Sequence, residues 1–165
     1  MKAHFSTMAN YNAWANARLY LMAAALDRAL YHREVGAYFR SLHRTLNHVL
    51  VSDRIWMRRL TGTGDHPDRL DAILFEELEP LHAARVAEDQ RIVQFVQSRH
   101  DSAFEEFLDY RSLGGEPQRR RLREILAHLF NHETHHRGQA HAILTQLGVV
   151  EPDSLDLFIM LREQS

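Results

Sequence analysis

The sequence predicts an all-α protein, a four-helix bundle with long crossover connections. Three observations carry this. Only 7 glycines and 4 prolines occur in 165 residues, and most gather in three places, 62–67, 114–117 and 148–152. The long stretches between them carry apolar residues at helical spacing. No stretch alternates convincingly with period two, so no strand is expected.

The first helix is expected over 6–29, with Ser6 or Thr7 as its N-cap. The second should run over 34–61 and stop at the Gly62 loop. A third is expected over 79–99, with Pro80 in its first turn, where a missing N–H costs nothing. The fourth should span 118–147, closed by Gly148 just past its end. Between them, "AILFEEL" (72–78) and "FEEFLDY" (104–110) read as short irregular or helical pieces. The first connection is short and implies antiparallel neighbours. The next two take about 17 residues each, enough to cross an end of the bundle, so plain up-down-up-down order is not required.

Residues 1–165 are expected to form one domain. The formal charge of −2 offers no electrostatic footprint for nucleic acid. The densest basic run, Arg119, Arg120, Arg121 and Arg123, reads as a solvated helix start. No apolar run reaches the length of a membrane span, and the polar opening does not resemble a signal peptide. A cytoplasmic protein is expected. The absence of cysteine excludes disulfides, thiolate metal sites and a cysteine nucleophile. Any metal must therefore be held by imidazole, carboxylate or water.

The stretch "HLFNHETHHRGQAH" (128–141) places five histidines on one expected helix. At about 100° per residue, His136 lies inside the stripe formed by Ile125, Leu126, Leu129, Ile143 and Leu144, and His132 lies at its edge. His128 and His135 fall on the flank, and His141 lies opposite. A single histidine on an apolar face is ordinarily a hydrogen-bonded core residue. Two of them one turn apart have chelating geometry, and a shared metal satisfies both. The third candidate is His48. It lies, like His132, about 14 residues into its helix, so the two share a depth whichever way the helices run. Small neighbours, Ser41, Thr45 and Ser52, leave room beside it, although it stands off the centre of the arc of Leu42, Leu46 and Val49. His43 competes with it but looks more exposed.

His132-Glu133-x-x-His136 is also the literal zinc-protease pattern, with Glu133 as general base. The longer metzincin form fails, since Gly138 and His141 each arrive one residue early. A separate carboxylate ligand could come only from Glu151, Asp153, Asp156 or Glu163 near the tail. A di-iron site would need Glu79 and His82 to partner Glu133 and His136. Glu79 precedes Pro80 at a helix start, far from mid-helix depth.

The strings "YNAWANARL", "LNHVLVSDRIWMRRL", "LFNHETHHRGQAHAILTQLG" and "PDSLDLFIMLRE" together resemble the DinB-like (damage-inducible) family over nearly the whole chain. The resemblance implies a four-helix bundle holding one divalent metal, zinc or nickel, on three histidines. The matching positions are His48, His132 and His136. It further implies kinship with thiol-dependent S-transferases, which use a low-molecular-weight thiol as cosubstrate, a small-molecule substrate and a homodimer. A non-catalytic metal-binding, stress-response or dimerisation protein is the alternative, with a closed coordination sphere or an exposed apolar helix face in place of a pocket. Three neutral imidazoles would leave an open position for a water or a thiol, whose pKa the metal lowers. Because imidazoles must be neutral to bind, ordinary histidines would lose metal between about pH 7 and 5. Asp53, Glu133, Asn131 and Gln139 are candidates to hold imidazole N–H groups. Tyr11, Asn12, Trp14 and Asn16 are candidates to line the pocket, and Arg137 to contact a substrate carboxylate or cap the bundle.

Overall fold

The first helix starts earlier than 6 because its N-terminus is capped from a distant part of the chain. In the computed structural model, which describes residues 1–164, α1 is Lys2–Ala24. The Asp101 carboxylate accepts from the Met1 amino group at 3.1 Å and from the Lys2 N–H at 2.8 Å. Ser6 and Thr7 are therefore interior, and Thr7 Oγ1 donates back to the Ala3 carbonyl. The expected helix to 29 is in fact two. The Asp27 side chain accepts from the Leu30 N–H at 2.7 Å and opens a separate short helix, α2, Arg28–His32.

The second long helix, α3, is Leu42–Thr61 and begins later than 34. Residues 33–40 form a tight loop, closed by Val35 N–H donating to the Arg40 carbonyl at 2.6 Å. Arg40 adopts φ 71°, a left-handed conformation no helix accommodates. Ser41 then caps α3 by accepting from the Arg44 N–H. Gly62 ends α3 at φ 74°, the conformation that glycine adopts without strain. Helix α4, Leu78–Gln97, holds Pro80 in its first turn as expected.

Between α4 and the last long helix lies the main departure from an all-α protein. A 3₁₀ turn, Asp101–Glu105, leads into β1, Phe107–Arg111, which pairs antiparallel with β2, Pro117–Arg121. The register sets Asp109 opposite Arg119, so Arg119 to Arg121 lie on a strand, while Arg121 also caps the last long helix and Arg123 stands in its first turn. Helix α5 thus begins at Leu122 rather than 118 and runs to Gln146, with Gly148 at φ 95° just beyond. A short α6, Leu157–Glu163, closes the described chain.

Each of the four long helices packs against two others, α1 on α4 and α5, and α3 on α5 and α4. The first and second long helices are therefore not the main neighbours that their short connection suggested. Two apolar clusters explain the arrangement. One gathers Leu19, Tyr20, Leu42, Leu46, Leu50, Leu81, Ile143 and Leu144. The other gathers Phe5, Met57, Ile92, Phe95, Leu126, Leu129 and Phe130. Along α1 and α5 the chain meets the second cluster before the first, and along α3 and α4 the reverse. So α1 and α5 run one way and α3 and α4 the other. Between the clusters every long helix contributes buried polar residues: Asn12 and Asn16, Asp53, Arg85 and Asp89, Glu133 and Arg137. No described helix is long and apolar enough to cross a membrane.

Candidate metal centre

Because α3 and α5 are antiparallel neighbours, His48 on one faces His132 and His136, one turn apart, on the other. The His48 Nε2 atom lies 3.2 Å from His132 Nε2 and 3.2 Å from His136 Nε2. Among the described residues this is the one group of three or more potential ligand side chains whose ligand atoms lie within 4.8 Å of one another.

Protonation shows why the contact between His48 and His136 is not an ordinary hydrogen bond. His48 Nδ1 lies 2.7 Å from the Leu70 carbonyl oxygen, which can only accept, so Nδ1 carries the proton. His136 Nδ1 lies 2.8 Å from Gln139 Oε1, also an acceptor, so it too is protonated there. In the neutral rings both Nε2 atoms are then bare lone pairs that face each other. Burial holds the His48 pKa below its ordinary value, with the neighbouring His136 charge acting the same way. Burial likewise lowers His136. At His132 burial, then the charges of His136 and His48, bring it down to about 3. The rings are thus neutral near pH 7, and a cation between them relieves the lone-pair contact. Nitrogens about 2.0–2.1 Å from a tetrahedral metal sit about 3.3–3.4 Å apart, close to the observed spacing. The three histidines could hold a metal ion.

A cavity of about 670 Å³ opens onto the imidazoles, lined also by Tyr38, Phe39, Arg40, Arg44, Leu70 and Asp71. That volume falls in the range of small-molecule sites, about 300–1,000 Å³. The Phe39 ring stacks on His48, centroids 3.9 Å apart, and meets His136 edge-on. His43 was expected to be exposed, but it is buried, its Nε2 3.0 Å from the Phe75 carbonyl oxygen and its ring against His32. It points away from the trio.

The other candidate residues divide. Gln139 orients His136 as described. Asn131 is exposed and contacts no imidazole. Trp14 donates to Glu163 on α6 and lies under Arg18, and Tyr11 donates to the Leu155 carbonyl. Neither lines the cavity, and nor do Asn12 and Asn16. Asp53, Glu133, Arg137 and Asn12 belong instead to the buried polar layer, with two residues of α4 that sequence reasoning passed over. Arg85 lies 2.7 Å from Asp53, 3.0 Å from Asp89 and 3.5 Å from Glu133. Arg137 lies 2.8 Å from Glu133 and donates to Asn12, while Asn12 and Asn16 donate to Asp89. Burial, then the charge of Glu133, pushes the Asp53 pKa up. Burial alone would raise Glu133, but Arg85 and a hydrogen bond from Asp53 outweigh it and lower the pKa. Of the two, Asp53 is thus the carboxyl that holds a proton more readily. Glu133 is 0 % exposed, so the general base of a zinc protease is missing from the cavity. Glu79 is exposed and His82 stacks on Tyr20, which leaves the di-iron pattern without its second half.

Arg85 did leave a signal, since it falls at helical spacing between Leu81 and Ile92 on the buried face of α4. Arg44 left one as well, four residues before His48. The Leu70 contact is made by backbone and left none.

Protein DinB of Bacillus subtilis (strain 168) is 27 % identical over 161 residues, covering 92 % of this chain and 91 % of that protein. A crystal structure of a DinB-like protein from Bacillus cereus ATCC 10987 superimposes with a TM-score of 0.64, over 85 % of this chain and 90 % of that one. At 18 % identity this likeness speaks for the fold alone. The sequence pattern of the DinB family matches residues 1–161, taking in both histidine-bearing helices, and the chain belongs to that family.

Proposed function

We propose that the protein binds one divalent transition metal, zinc or nickel, through Nε2 of His48, His132 and His136, and acts with it on a small molecule. The observation that carries this is the convergence of bare Nε2 lone pairs at 3.2 Å with both Nδ1 protons committed elsewhere. Imidazole donors suit zinc, nickel, copper or iron, and family resemblance favours the first two. When bound, such a metal supplies a Lewis acid that lowers the pKa of a thiol or water placed in the cavity.

The chain's own residues prepare that site. The Leu70 carbonyl and Gln139 hold two rings in one tautomer and orientation. Burial keeps all three imidazoles neutral. Phe39 covers one face of His48 and limits water there. No cysteine is needed as nucleophile if a low-molecular-weight thiol is the cosubstrate, and we assign S-transfer to an electrophile as the reaction class. In this reading α1, α3, α4 and α5 form the family's four-helix bundle. Two bundles pair as a homodimer through apolar surface such as Phe158, 74 % exposed on α6.

The cavity favours an enzyme over a non-catalytic metal-binding protein, which needs no opening of this size. The test is thiol consumption against a panel of electrophiles, using zinc- and nickel-loaded protein, metal-free protein and His48→Ala. Metal-dependent thiol loss, absent from the variant, supports the enzyme. A metal-loaded protein inert across the panel supports the non-catalytic alternative.

A further inference from the structure

The cavity has one wall whose chemistry the three histidines leave unused. Arg44 and His48 stand one turn apart on the same face of α3, about 6 Å along its axis. Both line the cavity. No described carboxylate lies within ion-pair distance of Arg44. The only carboxylate on the cavity wall, Asp71, is already held by Arg69 through both oxygens, at 2.9 and 2.8 Å. Arg40, the second guanidinium on the rim, has one partner, Glu34, at 2.7 Å, and both side chains of that pair are more than half exposed. Such pairs exchange readily. Arg44 also sits in the first turn of α3, where no acidic residue accompanies it and the helix dipole disfavours a cation. A cation with no ion pair of its own, acting only through space on the Asp71 carboxylate that Arg69 holds, faces a small-molecule cavity from an unfavourable helix position and is a place for an anion.

We infer that the cavity selects small molecules carrying a carboxylate or phosphate, gripped by the Arg44 guanidinium while the opposite end reaches the three imidazoles. Arg40 contributes a second, weaker contact. This rests on the metal-site reading above. It adds the substrate class, an anionic molecule with its donor group one helical turn from its charge, and it names the residue that sets the preference. Guanidinium pairs with either oxyacid in fork geometry, so the two anion types share one recognition chemistry.

The experiment uses the full chain loaded with cobalt(II), whose absorption changes when a sulfur donor enters its coordination sphere. Three short thiols of similar length are titrated: 3-mercaptopropionate, propanethiol and cysteamine, with anionic, neutral and cationic ends. A mercaptoalkyl phosphate forms a fourth arm that separates phosphate from carboxylate. The anionic thiols should bind about 10-fold more tightly than cysteamine at low salt, and the gap should narrow with added salt because Arg44 is exposed. In Arg44→Gln the gap should shrink to within about 2-fold, and in Arg44→Lys part of it should return. Cobalt content is measured in every sample. Cobalt uptake with equal binding of all the thiols, a preference for cysteamine, no response to any thiol, or a preference that survives Arg44→Gln would each overturn this inference and leave the metal site standing. A protein that takes up no cobalt overturns the metal site itself, and this inference with it.

Discussion

Two buried polar clusters share the same pair of helices and have opposite characters. His132 and Glu133 are adjacent, as are His136 and Arg137, yet about 100° of helix rotation sends each pair to different surroundings. The histidines face a cavity with His48. Glu133 and Arg137 face inward to Asp53, Arg85 and Asp89. In the inner cluster each charged side chain lies beside an opposite charge, although Asp53 Oδ2, Arg85 Nε and Nη2 and Arg137 Nε make no hydrogen bond. The outer cluster is open, because the Nε2 lone pairs of His48 and His136 face each other across 3.2 Å. Buried charges that pair with one another hold a fold in register. Buried polar groups that do not are positioned for something else. On this comparison the inner layer is structural and the outer trio functional, and each variant below is chosen to break that division.

The largest effect belongs to the inner layer. Arg85→Ala leaves Asp53, Asp89 and Glu133 with only Arg137 to answer them, and should cost about 3–5 kcal/mol in urea unfolding. Glu133→Gln should cost less, about 1–3 kcal/mol, because the amide oxygen can still accept from an arginine and the charge that helps raise Asp53 is gone. Its metal content should match the parent's. Peptidase activity in the parent that vanishes in Glu133→Gln would mean that Glu133 acts as a protease base, contrary to its burial. In the outer cluster, Gln139→Ala frees the His136 ring and should weaken metal binding about 10–100-fold with little change in stability. Competition against a chelator of known affinity measures this.

The smallest expected effect concerns pH. In the unfolded chain an imidazole titrates near about 6.5, whereas folded His132 is held down to about 3 by burial and its histidine neighbours. The unfolded state therefore binds protons first. Stability of the metal-free protein should be level above about pH 7 and fall as the pH drops below about 6.5. Thermal melts at pH 8, 6.5 and 5 check this, and a melting temperature that rises on acidification would contradict it. The same depression moves the loss of metal below the window of about pH 7 to 5 that ordinary imidazoles would show.

What could be read from the sequence was what repeats at helical spacing. His132 and His136 one turn apart were legible because a helix turns spacing into direction. The depth argument for His48 fails, since α3 starts at Leu42 and α5 at Leu122 and the two histidines, His48 and His132, stand at unequal distances from those starts. Gly62, Pro80 and Gly148 marked boundaries because their backbone constraints are local. Contacts between distant segments were not legible. The α1 cap is Asp101, far along the chain, so Ser6 and Thr7 were the nearest local substitutes. The hairpin carries arginines on its second strand, where charge concealed the pairing that its Gly114–Gly115 turn permits. Asp53 and Glu133 looked like polar residues beside histidines, and only α4 supplies the arginine that claims them. The His48 tautomer depends on a backbone carbonyl at Leu70, which no side-chain pattern reveals.

The central claim is that the open cluster is a metal site made of three imidazoles. Elemental analysis of the parent, His48→Ala, His132→Ala and His136→Ala, each metal-loaded and dialysed under identical conditions, tests it most directly. The account predicts about one metal per chain in the parent and more than about 100-fold weaker binding in each variant, since a tetrahedral site then keeps only two protein ligands. Full stoichiometry retained in His136→Ala would contradict it.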